Sequence, residues 1–271
     1  MSLWSRLRDL RYALPAALGA ALPEPDAVWA AGQAHRLAAR GMDASFGYFH
    51  KADATPDAVL AAELTLAQAL RGSGAVLAVK APALGFCAGR IAALAACGMP
   101  MMLDSHGPAQ ADATLALADR HEGLGCAIPA RWQRSRGDAL RLRDSLAPLR
   151  LVKGEWADPT GDPPDLCDAF LDLVAALAGR SAPVIIASHD PALVAPALDR
   201  LIASGTPCLL EQLRGLPRRR TMALARARSV AVRIYTPTGP GWWPYAIDKA
   251  LARPYLPVWW WRDRLGLPDR R

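Results

Sequence analysis

The sequence contains no CxxC pair, and its five cysteines (Cys87, Cys97, Cys126, Cys167 and Cys208) are scattered and odd in number. That argues against a zinc ribbon or a closed disulfide framework, so no metal is expected and a reducing, cytoplasmic setting fits. No GxGxxG turn occurs, which removes the usual dinucleotide-binding open sheet. No apolar stretch reaches the ~18 residues needed to cross a bilayer. No basic stripe interleaved with aromatics precedes residue 214, so nucleic acid is not an expected partner. Solenoid-type repeats and a linker that would split the chain are also missing.

What is present is 271 residues that are 52% hydrophobic, with 21 Gly and 23 Pro, enough for one large buried core. The alanine-rich composition favours helices. A net charge of +7 comes largely from arginines and admits an anionic ligand or membrane surface as partner. Near the N-terminus Arg6, Arg8 and Arg11 precede the apolar run 13–22, the layout of a short signal peptide. Pro15 breaks that run and Pro23-Glu24-Pro25 ends it without a small-x-small cleavage site, so an amphipathic helix packed on the domain is expected instead.

After residue 40, short β-branched runs alternate with longer amphipathic segments, the signature of βαβ units and a parallel sheet. Strands are predicted at 44–49, 75–79, 101–103, 125–128, 149–152, 184–187, 207–210 and 231–235. Helices are predicted between them at 57–71, 88–97, 110–121, 138–147, 165–177, 191–203 and 218–228, with a last one over 244–252. Eight strand–helix units with nothing left over predict an α/β fold, a (β/α)8 TIM-type barrel over 41–253. An N-terminal helical extension (1–40) precedes it and a Trp/Arg-rich tail (254–271) follows.

Active sites of such barrels lie at the C-terminal strand ends. Those ends carry Lys80, Asp104, Lys153 with Glu155, His189 with Asp190, Glu211, and Tyr235. One such residue means little, since a strand-ending charge is often the first solvated residue of a loop. Several converging on one mouth would pair and shift each other's pKa, as functional groups do.

Longer patterns surround these ends. Arg150-Leu-Val-Lys153-Gly154-Glu155-Trp156 resembles RLVKGAYW of the flavin-dependent proline dehydrogenase family. Ala187-Ser188-His189-Asp190 is similar to its ATHN, Leu213-Arg214-Gly215 to its LxG, and Lys80-Ala-Pro-Ala-Leu-Gly85 to KLSALG. Leu103-Asp104 matches the third-strand Asp, and the segment from Arg233-Ile-Tyr235 to Trp242-Trp243-Pro-Tyr245 resembles RVYVPYGEDWYPY. The resemblance spans roughly residues 40–253 in the family's order.

It implies an FAD-dependent oxidation in which hydride leaves the carbon beside an amine and reaches flavin N5. Arg150 would then sit by N5, with Lys153, Gly154, Ser188, His189 and Glu211 around the cofactor. Lys80 and Asp104 would flank a small amine or imino acid, and Tyr235, Tyr245 and Leu213 would wall it in. A quinone or other acceptor would take the electrons.

The departures are as informative. The family grips a carboxylate with the arginine pair of YLxRRxxE, where this chain has Tyr245-Ala-Ile-Asp248-Lys249-Ala-Leu-Ala252. Lysine is a point charge without the bidentate fork, and aspartate repels a carboxylate. Lys80 and Lys249 stand against Asp104, Asp248 and Glu155, a balance of −1 and two charges more negative than the family pattern. A desolvated unpaired charge costs several kcal/mol, so free proline is not the expected substrate. Arg253, one turn after Lys249, would restore one cationic contact. Pro129 stands where a flavin-contacting glutamine is expected, and Glu211 and Asp190 replace amides. These changes leave open a cofactor-free barrel that binds a metabolite or partner. Lys80 and Lys153 at strand ends also admit a Schiff-base lyase. In the tail, Trp259-Trp260-Trp261 beside Arg262, Arg264, Arg270 and Arg271 has the composition of a peripheral anchor at the inner face of a membrane, or of a cover over the barrel.

Overall fold

The computed structural model describes residues 22–104, 107–252 and 255–265. Of the run 13–22 expected to be helical, residues 13–21 lie outside the described residues, as do Arg253, Arg270 and Arg271. Eight parallel strands close on themselves in sequence order: β1 (Asp43–Tyr48), β2 (Val76–Val79), β3 (Met101–Leu103), β4 (Gly125–Pro129), β5 (Leu149–Val152), β6 (Val184–Ala187), β7 (Cys208–Leu213) and β8 (Ala231–Thr238). The expected (β/α)8 barrel is the one observed.

The helices in chain order are α1 (Ala27–Ala38), α2 (Pro56–Leu70), α3 (Ala88–Ala95), α4 (Ala111–Arg120), α5 (Ser135–Arg141), α6 (Leu166–Leu177), α7 (Pro191–Ala203), α8 (Arg219–Ala227), α9 (Trp242–Ala252) and α10 (Tyr255–Leu265). Their starts are written locally. Thr55 accepts a hydrogen bond from the Ala58 amide ahead of Pro56, and Asp190 accepts from the Ala192 amide ahead of Pro191. Each satisfies an orphan first-turn donor, and each proline sits where its missing N–H costs nothing.

Two strands run longer than predicted. β7 continues to Leu213 and β8 to Thr238, because the ladder continues: Leu213 pairs with Tyr235, and Tyr48 with Thr238 across the closure. Glu211 and Tyr235 therefore lie inside strands rather than at their ends. α5 also sits earlier than predicted, at 135–141 rather than 138–147.

The barrel interior begins with an apolar layer of Val76, Met102 and Ile185, with Leu209 against it. Gly125 makes room for this layer, since a Cβ there would lie 2.6 Å from the Met102 methyl. Outside the sheet, a larger cluster including Phe46, Leu151, Phe170 and Leu198 fills the space under the helices.

The helical layer has one irregularity that shapes the site. α1 packs beside β1, β8 and α2 through the buried stripe Ala30, Ala34 and Leu37. α9 instead contributes Trp242, Trp243, Tyr245 and Lys249 to the wall of a cavity at the C-terminal mouth.

Candidate active site at the barrel mouth

Above the apolar layer the interior turns polar, and Arg150 of β5 is its centre. Only 2% of its side chain is exposed. Nη1 lies 3.1 Å from Asp104 Oδ1, Nε lies 2.6 Å from Glu211 Oε2, and Nη2 donates to Glu211 Oε1 at 3.1 Å. Ser45 of β1 donates to the same Glu211 oxygen at 2.7 Å, and the Tyr235 hydroxyl donates to Asp104 Oδ2 at 3.0 Å. Four strands and the loop after β3 thus meet in one network.

Burial disfavours the Arg150 cation, but the carboxylates of Glu211 and Asp104 outweigh it and hold its pKa above the ordinary value. Burial, then the Asp104 charge, pushes the Tyr235 phenol well above its ordinary range. Arg150, expected beside a flavin, pairs its guanidinium with two carboxylates.

A second group lies outward. Lys80 Nζ sits 3.9 Å from the centroid of the Phe49 ring and donates to the Tyr48 carbonyl at 3.2 Å. Burial lowers the Lys80 pKa, partly offset by Asp104 and Glu63. Phe49 also packs 5.2 Å from the Tyr245 ring, and Tyr245 Oη lies 3.4 Å from Glu155 Oε2. Glu155 forms an ion pair with Lys249, whose Nζ stands 5.1 Å from the Tyr245 ring centroid. Of this group, Glu155, Tyr245 and Lys249 line a cavity of about 670 Å³, together with Gly154, Leu213, Gly215 and the indoles of Trp242, Trp243, Trp260 and Trp261.

Other nominated residues are placed differently. Asp248 is exposed on α9 and does not line the cavity. Lys80 and Asp104 do not line it either, so the charged side chains in its wall are Arg214 and Lys249 against Glu155. Lys153 pairs with Asp190 at 3.0 Å rather than with Glu155. Gly154, at φ +102°, is backed by Pro129, whose Cβ is 3.1 Å from where a Gly154 Cβ would lie. Ser188 Oγ accepts from the Asp190 amide.

His189 spends both ring nitrogens on backbone. The Leu213 amide donates to Nε2 at 3.0 Å, which leaves the proton on Nδ1 to donate to the Pro217 carbonyl at 2.6 Å. It ties the β6 end to the β7–α8 loop, and burial lowers its pKa.

One residue escaped the sequence reading. Glu63 of α2 is 1% exposed, its Oε2 has no hydrogen-bond partner, and burial raises its pKa to about 8 against the opposing pull of Lys80. A signal was available: Glu63 occupies the buried helical stripe of Val59, Leu66, Ala67 and Leu70, where a carboxylate is out of place.

Fold and mouth together define a (β/α)8 barrel with a buried charge network and an aromatic-walled cavity. No family model matches the chain, and no curated protein matches it. Its structural neighbours include proline utilization A proteins. The structure from Bdellovibrio bacteriovorus, inactivated by N-propargylglycine, aligns with a TM-score of 0.69 at 15% identity, over 83% of this chain and 31% of its own. The structure from Corynebacterium freiburgense gives 0.69 at 16% identity, over 95% and 34%. A bifunctional proline utilization A gives 0.59 at 20% identity, over 84% and 30%. The chain spans about a third of the length of these neighbours, and at such identities the likeness is one of fold.

Proposed function

We propose that the protein is a flavin-dependent oxidoreductase acting on an amine or imino acid other than free proline. The observation that carries this reading is the network of Arg150, Asp104, Glu211 and Tyr235 inside the barrel, together with a cavity lined by Gly154, Leu213, Tyr245 and Lys249, residues to which the resemblance assigns flavin and substrate.

The mouth suits a flat, anionic cofactor. Gly154 and Gly215 bring bare backbone to the cavity, and nothing stands within 4 Å of the position that a Cβ on Gly215 would take. Lys153 is partly exposed and can turn from Asp190 to a phosphate. Lys153, Gly154 and Ser188 would hold FAD, His189 would fix the turn that carries Ser188, and Arg150 would supply a fixed positive charge. When bound, FAD would supply the hydride acceptor for oxidation of the carbon beside the amine nitrogen.

The chain's own groups do the rest. Hydride leaves readily only from the free amine, and Lys80, with its pKa lowered by burial, can take the ammonium proton at Nζ. Asp104 and Tyr235 orient the nitrogen. The indoles of α9 exclude water, which strengthens every charge inside. A substrate carboxylate would meet a Lys249 already neutralised by Glu155, which disfavours free proline. Purified protein is expected to show flavin absorbance that bleaches anaerobically with a suitable secondary amine. Colourless protein that takes up no FAD would overturn the reading.

A second reading, a cofactor-free binding barrel, has its own observation: Arg150 is sealed by Glu211 and His189 by backbone, leaving fewer donors for a cofactor. A ligand that raises the melting temperature of colourless protein would favour it.

A further inference from the structure

The cavity at the mouth is walled by more aromatic rings than a small imino acid needs. Trp242, Trp243 and Tyr245 reach it from α9, and Trp260 and Trp261 from α10, around a volume of about 670 Å³. Sites of that size hold ligands much larger than proline. The rings also hold one another in place. Trp242 lies 5.9 Å from Tyr245 and 6.4 Å from Trp243, and Phe49 packs on Trp242 and Tyr245 at 5.3 and 5.2 Å. The Trp243 indole N–H donates to the Pro23 carbonyl at 2.8 Å, and Trp260 meets Trp261 edge to face at 5.4 Å. Ring faces fixed before a ligand arrives need little ordering on binding.

These faces take cations. Lys249 Nζ stands 5.1 Å from the Tyr245 centroid and pairs with Glu155, and Arg264 stacks over Trp260 at 5.3 Å. A ring face attracts a cation through its quadrupole, and tryptophan does so best. Glu155 is the one carboxylate among the described residues of the wall. The cavity thus already contains an ammonium, set on an aromatic face and against a carboxylate, and that ammonium is the protein's own.

The chemistry of the wall selects the kind of ammonium. A primary ammonium is compact, strongly hydrated and brings three donors that must find acceptors. A methylated ammonium keeps the charge, needs fewer acceptors and gains apolar contact with the rings. The side chains of Lys249 and Glu155 are each 33% exposed, so the lysine can turn to water and yield its place. Arg214, the other cation of the wall, stacks at 4.6 Å on Trp29, a ring that does not line the cavity.

We propose that this cavity is an aromatic cage for a methylated ammonium group, with Lys249 holding the ligand's place against Glu155. Phe49 joins the cage to Lys80, whose Nζ lies 3.9 Å from its centroid, so the nitrogen arrives beside the base of the proposed reaction. The cage narrows the substrate to an N-methylated tertiary amine, and in that step alone it rests on the proposed function. Such an amine gives its N–H proton to Lys80 Nζ and then hydride from an adjacent carbon to the flavin, leaving an iminium ion.

The test is calorimetric titration of the full chain with choline, ethanolamine and neohexyl alcohol. Ethanolamine keeps the charge without the methyl groups, and the alcohol keeps the shape without the charge. Choline has no nitrogen lone pair to drive hydride loss, so binding is read apart from turnover. Choline is expected to bind at least ~10-fold tighter than either analogue. Lys249→Gln should tighten choline a few-fold by removing the competitor for Glu155, and Trp242→Leu should weaken it about 10-fold. Equal binding of an analogue overturns the cage, as does a failure of parent and Lys249→Gln alike to bind choline. So does a Lys249→Gln protein that melts like the parent and binds choline no tighter. Uptake of acetate in place of choline also overturns it, by assigning the wall to Arg214 and an anion. Colourless protein that binds choline keeps the cage and defeats the oxidoreductase; yellow protein that bleaches with another amine and ignores choline does the reverse.

Discussion

The Tyr235 ring occupies the space that a side chain on Gly47 would fill. A Cβ at position 47 would fall inside van der Waals contact of Tyr235 Oη and 2.7 Å from Cζ. Strand β1 thereby lets β8 send a tyrosine across the barrel to Asp104. Gly47→Ala is therefore expected to displace the ring, break its hydrogen bond to Asp104 and destabilise the fold by about 1–3 kcal/mol, the usual cost of overpacking. Tyr235→Phe is the control, since it removes the hydrogen bond without the clash. Thermal melts of the two variants check this; a Gly47→Ala protein as stable as the parent would show that β1 yields.

The barrel was legible because its signals are local. Thr55-Pro56 and Asp190-Pro191 mark helix starts, and buried parallel strands read as short apolar runs such as 184–187. The ends of β7 and β8 were not legible, because pairing with a neighbour strand, rather than residue type, decides where a ladder stops. At the site, residue identities were readable but pairings were not. Arg150, Asp104 and Glu211 come from distant parts of the chain, and no spacing tells which carboxylate a buried guanidinium will choose. Asp248 was misplaced for a related reason: a one-residue step on a helix turns a side chain by about 100°, enough to carry it out of the cavity.

Glu211 decides how much of Arg150 is left for a ligand. Glu211→Gln keeps the shape and a hydrogen-bond acceptor for Ser45 while removing one of the two anions on the guanidinium. Breaking a buried ion pair from one side commonly costs 3–5 kcal/mol, roughly, and Asp104 should reduce that here. The variant is expected to melt lower and to bind FAD more tightly than the parent. Flavin fluorescence quenching and a melt measure both effects. Unchanged stability would mean that Asp104 alone neutralises Arg150.

Glu63 makes stability depend on pH in the opposite sense to an ordinary salt-bridged carboxylate. Its pKa is raised from 4.5 to about 8, so between these values the folded state binds the proton that the unfolded state has lost. Stability from this group then falls as pH rises from about 4.5 through about 8. Glu63→Gln is expected to change little at pH 5. At pH 9 it should stabilise by something on the order of 2–4 kcal/mol, because it removes a buried charge. Melting temperatures of parent and variant at both pH values check the sign. An equal effect at the two pH values would show that Glu63 does not change ionisation on folding.

His189 titrates on the other side of neutrality and for a different cause. Burial lowers its folded pKa from 6.5, and its Nε2 must stay unprotonated to accept the Leu213 amide. Its contribution to stability is thus complete above the unfolded pKa. As pH falls below about 6.5, the unfolded state gains a proton that the folded state refuses, and the contribution is lost. The loss can reach at most ~1.4 kcal/mol per pH unit for one such group. His189→Gln removes that slope while lowering stability at pH 7.5, since it disturbs the link between the β6 end and the β7–α8 loop. Melts from pH 7.5 to 5.5 should therefore converge for parent and variant as the pH drops. Parallel curves would mean that His189 is free to protonate in the fold, and hence that the turn carrying Ser188 is looser than these contacts imply.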